Sequence, residues 1–372
     1  MKRELEIYIH IPFCRSKCRY CDFVSYPTKL GFADAYMACV LKEMQFRAKD
    51  LQGKSFDTVY FGGGTPSVID AKWITGCMNQ IRACFRLSEK AEVTIELNPG
   101  TVDAAKAEAY KKAGVNRFSV GLQSANDALL EEIGRIHTAK DFEDACALLG
   151  DANKSADVMI GLKGQTTEDI LRAIDLAERC GARHISMYAL TPEDGTPMYS
   201  DYLNGDLPDA DAVADQYEAA CKHLAARGYR RYEVSNFAKP GFESRHNLNY
   251  WHRGEYIGFG VAASSFMNGR RFTNTRDLDE YIKCILSGYY PVVDNEKIEG
   301  EDAKFETVML ALRTARGLDC EEYRKRFGSD FSSDFHEALV KNADYLEYAG
   351  GCVRIRPQYL FVQNEIIVDF LH

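Results

Sequence analysis

The sequence lacks a long apolar run and an apolar leader. No stretch approaches the roughly 18–20 consecutive apolar residues that are needed to cross a lipid bilayer. The first residues, MKRELEIYIHIPF, are charged at the start and contain no apolar core of the signal-peptide kind. These absences predict a cytoplasmic protein.

An excess of basic residues is also missing. The 372 residues include 46 Lys and Arg against 55 Asp and Glu, which gives a net charge of −9. No run of Lys or Arg supplies the positive charge that neutralises phosphates, so a nucleic-acid partner is not expected. The length suffices for two or three domains, and no internal repeat, low-complexity tract or long linker divides them.

Cysteines are plentiful, but a disulfide framework is not expected without a secretion signal. Of the 12 cysteines, nine are scattered singly, and we interpret them as small core residues. These nine are Cys39, Cys77, Cys84, Cys146, Cys180, Cys221, Cys284, Cys320 and Cys352.

The other three cysteines, Cys14, Cys18 and Cys21, stand close together in C-x3-C-x2-C spacing after the strand-like run Ile7 to Ile11. Three thiols with no fourth beside them indicate a metal centre with one open position, since iron–sulfur clusters are held by cysteine thiolates. A zinc site with a distant fourth ligand, or three ordinary buried cysteines, remain alternatives at this point.

The first half of the sequence alternates short apolar runs with helical patterns. Six such runs, ending with His184–Leu190, predict βα units, a parallel sheet and an α/β fold. Polar and glycine-rich segments follow these strands at the edge where barrels place their active sites. Six units rather than eight predict a partial (βα)6 barrel that is open to a large ligand.

The second half has a different character, and the predicted division is 1–230, 231–290 and 291–372. A strand is expected at Tyr229–Val234, followed by a polar, aromatic-rich loop over Ser235–Trp251. The last unit is predicted to be small, mostly helical and winged-helix-like, and to end in a β-hairpin. Its expected elements are helices at Glu301–Ala315, Cys320–Phe327 and Phe331–Ala349, and a hairpin around Val353–Val362.

Six motifs in order resemble those of radical S-adenosylmethionine (SAM) proteins related to oxygen-independent coproporphyrinogen III oxidase. The motifs are YIHIPFCRSKCRYCDF, FGGGTP, ELNPG, SVGLQS, IGRIHT and DVMIGLKGQT, and the resemblance covers roughly residues 5–270. It implies a radical-SAM barrel with a [4Fe–4S] cluster on Cys14, Cys18 and Cys21. The amino and carboxylate groups of SAM would chelate the fourth iron, and one-electron cleavage would give a 5′-deoxyadenosyl radical.

The resemblance also implies a SAM site, whose expected residues have chemistry suited to its parts. Glycines admit close backbone approach, carboxylates and amides pair with hydroxyl and ammonium groups, and an arginine offers a planar fork. The expected residues are Tyr8, Tyr20, Gly64, Thr65, Glu96, Gln123, Arg135 and Asp157. Taken singly, Glu96 could be a helix N-terminal charge, Arg135 a surface ion-pair residue and Gln123 a buried amide.

Two departures favour the heme chaperone branch of this family over the oxidases. Phe23 stands where the oxidases have a fourth cysteine, and their longer N-terminal arm is missing. The branch signature HNxxYW is present, and the expected heme-binding residues are His246, which ligates or orients heme, and Tyr250 and Trp251, which stack on it. Alternatively, the histidine holds a long loop in place.

Two local mismatches with the family are also present. Lys163 replaces the usual proline of its motif, and Ser264 stands where many relatives in the branch have histidine.

The resulting hypothesis is a heme chaperone that binds heme and hands it to a membrane or respiratory acceptor. The alternative is the oxidase reaction, radical decarboxylation of coproporphyrinogen III, so whether the protein is an enzyme stays open. A zinc-binding structural domain is a third, disfavoured interpretation. Expected partners are heme or porphyrin, a heme-accepting protein, an electron donor, a weak membrane or membrane-protein association and a homodimer.

Overall fold

The computed structural model describes residues 5–371. Its strands are β1 (Leu5–Ile11), β2 (Ser55–Gly63), β3 (Arg86–Leu97), β4 (Arg117–Gln123), β5 (Asn153–Ile160), β6 (Ala182–Ala189), β7 (Arg230–Arg231), β8 (Asn236–Ala238), β9 (Tyr256–Phe259), β10 (Ser264–Met267), β11 (Arg270–Asn274), β12 (Val292–Lys297), β13 (Leu318–Asp319), β14 (Leu346–Ala349) and β15 (Cys352–Ile355). Its helices are α1 (Ala33–Arg47), α2 (Ala71–Cys84), α3 (Ala104–Ala113), α4 (Asp127–Glu132), α5 (Ala139–Leu149), α6 (Thr167–Arg179), α7 (Pro197–Leu203), α8 (Ala210–Ala226), α9 (Arg245–Trp251), α10 (Leu278–Leu286), α11 (Gly300–Leu312), α12 (Cys320–Phe327), α13 (Phe331–Asp334), α14 (His336–Lys341) and α15 (Gln363–Ile367).

Six parallel strands, β1 to β6, lie side by side in chain order at the centre of one large sheet. Every residue of β4 is buried, as expected of a central strand in a parallel sheet. Such strands consist of continuous apolar runs, which is why the sequence pattern predicts them. The predicted six-unit α/β architecture is confirmed, and the carboxyl ends of the strands bring the polar motifs to one edge.

The sheet continues past the six central strands at both edges. Its full order is β12-β11-β10-β9-β1-β2-β3-β4-β5-β6-β8-β7, with β9 parallel to β1 and the other added strands antiparallel to their neighbours. The strand predicted at Tyr229–Val234 is wrong in length, since the strand there comprises only Arg230–Arg231, while Glu233 forms an isolated bridge to Thr314. Strand β12, which the predicted division assigns to the last unit, pairs with β11 of this sheet.

The loop predicted over Ser235–Trp251 is wrong, because its last part is helix α9. The side chain of Ser244 accepts a hydrogen bond from the amide of Asn247 and caps the helix N-terminus. The helical turn brings His246 and Tyr250, four residues apart, onto one face.

The C-terminal segment has its own apolar core and a small three-stranded sheet in the order β13-β15-β14. The helix predicted over Phe331–Ala349 is wrong, since Phe335 leaves the helical conformation and the chain forms β14 from Leu346. The predicted hairpin is displaced: β14 and β15 form it around Gly350 and Gly351, whose positive φ angles suit a tight turn. Residues after Pro357 return to helical turns.

None of the helices within residues 5–371 combines the length and the apolar character that a membrane span requires.

Candidate functional site

The three clustered cysteines lie in the loop between β1 and α1 as free thiols. Burial raises the pKa of Cys14 and Cys21, and the neighbouring thiol of Cys18 adds to both shifts. Two hydrogen-bond donors face the sulfurs: Thr65 Oγ1 lies 3.5 Å from Cys14 Sγ, and Arg135 Nη1 lies 3.6 Å from Cys18 Sγ. Adjacent thiols with donors directed at their sulfurs fit the ligand set of an iron–sulfur cluster.

Within residues 5–371, the three cysteines are not arranged as the ligands of a single metal ion. In the described part of the chain, no three His, Cys, Asp or Glu side chains are grouped as the ligands of a single metal ion. A structural zinc requires its sulfurs about 2.3 Å from one point, whereas the thiolates of a cluster bind different irons. The arrangement therefore suits the cluster better than the zinc alternative.

The glycine run after β2 packs against the cysteine loop. A Cβ atom on Gly64 would lie 2.8 Å from the carbonyl oxygen of Phe13 and 3.0 Å from Cys14 Sγ. Gly63 has a φ of +113°, and a Cβ there would lie 2.7 Å from the His10 ring. Only residues without side chains allow this approach, so the run fixes the position of the loop as well as exposing backbone groups.

Asn98 joins two of the cysteine contacts into one network and was missed in the sequence. Its Nδ2 donates to Thr65 Oγ1 at 2.7 Å, and its Oδ1 accepts from Arg135 Nη2 at 2.7 Å. The motif ELNPG contains this residue, but its partners are distant in sequence. Within residues 5–371, the buried Nε of Arg135 has no hydrogen-bond acceptor, which leaves a donor for an anionic ligand group.

Two of the predicted SAM residues, Glu96 and Asp157, have buried carboxyl groups that lie close enough to interact. Glu96 accepts hydrogen bonds from the hydroxyl of Tyr60 at 2.8 Å and from the amide of Gly63 at 3.2 Å. Burial, reinforced by the charge of Asp157, raises the pKa of Glu96 to about 7. Burial likewise raises the pKa of Asp157 to about 6. Both groups can therefore accept or release protons near neutrality.

Gln123 ends strand β4 in a left-handed conformation, with a φ of 66°. This conformation is uncommon for residues other than glycine and is often found at functional sites. The register of β4 against β5 shifts at the same place, and Gln123 Oε1 accepts from the Tyr188 hydroxyl at 2.7 Å. The amide is thus held at the edge where the other motifs end.

The structure brings the remaining predicted SAM residues into the same region. The ring edges of Tyr8 and Tyr60 and a carboxylate oxygen of Glu96 surround Gly62. Tyr20 belongs to the cysteine loop and interacts electrostatically with Arg135, Cys18 and Cys21. Lys163, by contrast, forms an ion pair with Asp206 at 2.9 Å.

His246 is buried and hydrogen-bonded at both ring nitrogens, and the expectation that it ligates or orients heme stays a prediction. It is 1% exposed, and burial lowers its pKa to about 3. Its Nδ1 lies 2.6 Å from Thr58 Oγ1, and its Nε2 lies 2.9 Å from the Tyr250 hydroxyl. Both ring nitrogens are therefore occupied, which agrees with the alternative that this histidine holds its surroundings in place.

Tyr250 and Trp251 face different cavities. Trp251 lines a small cavity against helix α12, together with Tyr323 and Arg326. Tyr250 lines a much larger cavity of about 830 Å³. The two side chains do not form one stacking surface.

The large cavity opens beside the cysteine loop. Its walls comprise Tyr8, His10, Asp22, Phe23, Val24, Tyr250, Arg253, Gly254, Tyr256, Ala262, Ser264, Phe266, Arg271, Thr273, Arg276, Glu306, Met309 and Leu310. Several elements contribute: strand β1, the cysteine loop, helix α9 with the loop after it, the segment of the added strands β9–β11 and helix α11. Cavities of roughly 300–1,000 Å³ with aromatic walls and a few polar groups are typical of ligand sites.

Arginines and one carboxylate organise the polar part of this cavity. Glu306 of α11 is 9% exposed and accepts from Arg253 Nε at 2.5 Å and from Arg271 Nη2. Both guanidinium groups also lie over the Phe266 ring, at 4.7 and 5.5 Å from its centroid. Ser264, where the branch often has histidine, bonds Thr273 at 2.9 Å. The wall thus combines aromatic faces with guanidinium groups, two of which are paired with Glu306.

Comparison with known proteins agrees with this geometry. The sequence profile of the Radical SAM superfamily matches residues 8–177, and that of the HemN C-terminal domain matches residues 298–362. The heme chaperone HemW of Bacillus subtilis is 34% identical over 373 residues, with 98% of each chain covered. HemW of Escherichia coli is 38% identical over 83% of this chain and 82% of its own.

Among solved structures, coproporphyrinogen III oxidase (HemN) of Escherichia coli matches with a TM-score of 0.87. The identity is 20%, and the match covers 99% of this chain and 90% of that one, so the fold is shared. Membership in the radical SAM superfamily implies a [4Fe–4S] cluster and S-adenosylmethionine. The chain belongs to the heme chaperone HemW family of radical SAM proteins.

Proposed function

We propose that this protein is a heme chaperone that takes up heme in the large cavity and passes it to an acceptor protein. The observation that carries the proposal is the cavity of about 830 Å³ beside the cysteine loop. A porphyrin is a flat apolar ring with two carboxylates at one edge. The aromatic wall suits the ring, and the arginines suit the carboxylates.

Phe23 contributes to the proposal from the mouth of the cavity. It is 70% exposed, although a phenylalanine ring gains free energy when it is removed from water. It stands directly after the cysteine motif, so a porphyrin in the cavity would cover an apolar ring and lie near the cluster. This placement links cargo binding to the state of the cysteine loop.

Cys14, Cys18 and Cys21 would hold the cluster, and the network of Thr65, Asn98 and Arg135 would orient SAM. When bound, the cluster would supply one electron, and SAM would supply the sulfonium that this electron cleaves. The chain's own residues supply the donors to the sulfurs and the unpaired Nε of Arg135. Glu96 and Asp157 would accept hydrogen bonds from the hydroxyl or ammonium groups of SAM. Tyr8, Tyr20, Gly64 and Gln123 would complete its surroundings.

The same proposal includes several partners of the protein. A chaperone of this kind requires a heme-accepting protein, and a reducible cluster requires an electron donor. We further propose that the protein works in the cytoplasm, associates weakly with a membrane or a membrane protein during transfer, and forms a homodimer.

Heme titration of the anaerobically reconstituted protein tests the proposal. The wild type should bind ferric heme saturably, and Phe23→Glu should bind about ten times more weakly, because the new charge repels the heme carboxylates. Leu203→Glu is the matched control, since Leu203 is 67% exposed on α7 and does not line the cavity. Equal affinities for the two variants would place heme elsewhere.

The same sample distinguishes the oxidase reaction. With SAM, a reductant and coproporphyrinogen III, a chaperone should form no protoporphyrinogen over many turnovers. Sustained product formation would replace the chaperone proposal by the oxidase function.

A further inference from the structure

The charged side chains in the wall of the large cavity differ in how far the protein already engages them. The wall contains three arginines and two carboxylates, which are Arg253, Arg271, Arg276, Asp22 and Glu306. Glu306 is 9% exposed and pairs with Arg253 Nε at 2.5 Å and with Arg271 Nη2. A buried ion pair is costly to break, because the remaining charge is left without compensation. Glu306 therefore retains both of these guanidinium groups.

Arg276 is the arginine that remains available. It follows strand β11 and is exposed where it lines the cavity. The hydroxyl of Tyr26 donates a hydrogen bond to the Arg276 carbonyl, which fixes the backbone at this point. Within residues 5–371, its guanidinium forms no hydrogen bond and no ion pair. The neighbouring acids are engaged elsewhere, since Asp277 caps the N-terminus of α10 and Asp279 pairs with Lys29 at 2.9 Å.

The other ionisable side chains of the wall add no further positive charge. His10 lines the cavity, but burial lowers its pKa to about 4, so its ring is neutral near pH 7. Asp22, which is exposed directly after the last cysteine of the loop, is negative. Among the described residues of the wall, Arg276 is therefore the one cation that is not committed to a partner.

This charge pattern favours a ligand whose carboxylates lie at one edge. Both carboxylates of heme lie at the same edge of an apolar ring, so the opposite edge can enter the aromatic part of the cavity. Arg276 can then hold one carboxylate with its planar fork, while water solvates the other. A porphyrin with four carboxylates has them around the whole ring and would bury some of them near Glu306. Burial of a charge without a partner is costly.

We propose, on the basis of the proposed heme-binding function, that Arg276 binds a carboxylate of the cargo and that the cavity thereby selects porphyrins with carboxylates at a single edge. The contact is an ion pair between existing charges, so no covalent bond changes and no electron is transferred. Arg253 and Arg271 have a different role. Their guanidinium groups lie over the Phe266 ring, at 4.7 and 5.5 Å from its centroid, and they hold the wall together.

Titration of the anaerobically reconstituted protein with three ferric porphyrins in one buffer tests the inference. The three are heme, its dimethyl ester and the iron complex of coproporphyrin III, which has four carboxylates. All contain the same metal, so differences in affinity report on the carboxylates. Wild type should bind heme about ten times more tightly than either of the others, because a hydrogen bond to a charged group contributes roughly that much.

Arg276→Gln removes the charge and keeps much of the side chain. Its affinity for heme should fall about tenfold and its affinity for the ester should not change, so the preference disappears. Arg276→Lys keeps the charge but loses the fork and should retain part of the preference. Arg270→Gln is the matched control, since Arg270 Nε donates to Asn295 Oδ1 at 3.1 Å and Arg270 does not line this cavity. It should bind all three porphyrins as wild type does.

Arg271→Gln separates carboxylate recognition from damage to the wall. This variant loses the ion pair with Glu306 and the contact with Phe266. Heme and its ester should therefore both bind more weakly, and by the same factor. Circular dichroism and iron content establish that each variant is intact.

Two outcomes would overturn the inference. One is an equal loss of affinity for heme and its ester in Arg276→Gln, because the side chain would then act on the ring and not on a carboxylate. The other is a wild type that binds the coproporphyrin complex as tightly as heme. A wild type that binds none of the three porphyrins saturably would instead refute the chaperone function itself, so the two failures are distinguishable.

Discussion

Single hydrogen bonds connect the polar residues of the site to the sulfurs of the cysteine loop. Arg135, Asn98 and Thr65 form a continuous chain from Cys18 to Cys14, with donor–acceptor distances between 2.7 and 3.6 Å. The resemblance to the radical SAM family predicts Arg135 and Thr65 as site residues, but not the asparagine between them. An asparagine can donate and accept at once, and only the folded chain shows that both of its capacities are used.

Replacement of Asn98 should weaken SAM binding without removing the cluster. Asn98→Ala leaves Arg135 Nη2 and Thr65 Oγ1 without their partner, which costs about 1–3 kcal/mol, or about 5–150-fold in SAM affinity. Calorimetric titration of the reconstituted protein measures the loss. Asn98→Asp retains the acceptor for Arg135 and should fall in between. Unchanged affinity in Asn98→Ala would contradict the role of the network.

The buried carboxyl of Glu96 should make stability depend on pH. Its folded pKa of about 7 lies above the ordinary value of 4.5, so the protonated form favours the folded state. This contribution is complete below pH 4.5 and is lost as pH rises toward 7. At pH 8, Glu96→Gln should therefore be more stable than wild type by about 1–3 kcal/mol, with little difference at pH 4.

Chemical denaturation of the SAM-free protein at both pH values measures this effect. Asp157→Asn should show a similar pH dependence, because burial raises the pKa of Asp157 from 3.8 to about 6. The same Glu96→Gln variant should bind SAM more weakly, as expected when a charged group serves binding at the expense of stability. A stability difference that does not change with pH would contradict the prediction.

At the scale of helices and strands, long buried elements are predictable from sequence and short exposed ones are not. The central strands are continuous apolar runs, and helix α12 lies within the predicted bounds Cys320–Phe327. Strand β12 is largely exposed and α9 has seven residues, so neither carries an apolar period. The serine cap before α9 and the Gly350–Gly351 turn were the available signals.

The site shows the same limit of prediction. Its motifs predict which side chains gather at the cysteines, because parallel strands all end at one edge. The burial of His246 could not be predicted, since Thr58 and Glu6, which surround it, are separated from it by about 190 and 240 residues of sequence.

The packing of the glycine run against the cysteine loop predicts a specific defect. Gly64→Ala places a Cβ within 3.0 Å of Cys14 Sγ and should displace the loop, so most of the cluster iron and sulfide should be lost. Iron and sulfide analysis after anaerobic reconstitution measures the loss.

Gly76→Ala is the matched control for Gly64→Ala. Its Cβ on helix α2 would meet only Leu41, at 3.8 Å, and the change should stabilise the helix by about 1 kcal/mol. Full iron content in both variants would contradict the packing argument.

At the scale of the whole molecule, Glu306 joins the C-terminal segment to the large sheet. Helix α11 carries this carboxylate, while Arg253 and Arg271 come from the loop before β9 and from β11. A buried carboxylate that bonds two guanidinium groups is costly to remove, because both charges remain without it.

Glu306→Ala should therefore lower the free energy of unfolding by about 3 kcal/mol and enlarge the cavity opening. Thermal denaturation and limited proteolysis near residues 297–300 measure the change. Glu321→Ala on α12 removes an exposed i,i+4 ion pair with Lys325 and should cost less than about 0.5 kcal/mol. Equal effects of the two variants would show that Glu306 does not join the units.

The composite wall of the large cavity has a consequence for biosynthesis. The cysteine loop and the six central strands are complete by residue 189, whereas Glu306, Met309 and Leu310 leave the ribosome more than a hundred residues later. Because domains generally fold as they emerge, the nascent chain can present its cysteines to the iron–sulfur assembly machinery before the proposed heme cavity exists. Maturation of the cluster would then precede the first encounter with cargo, and a truncated translation product would be unable to sequester heme.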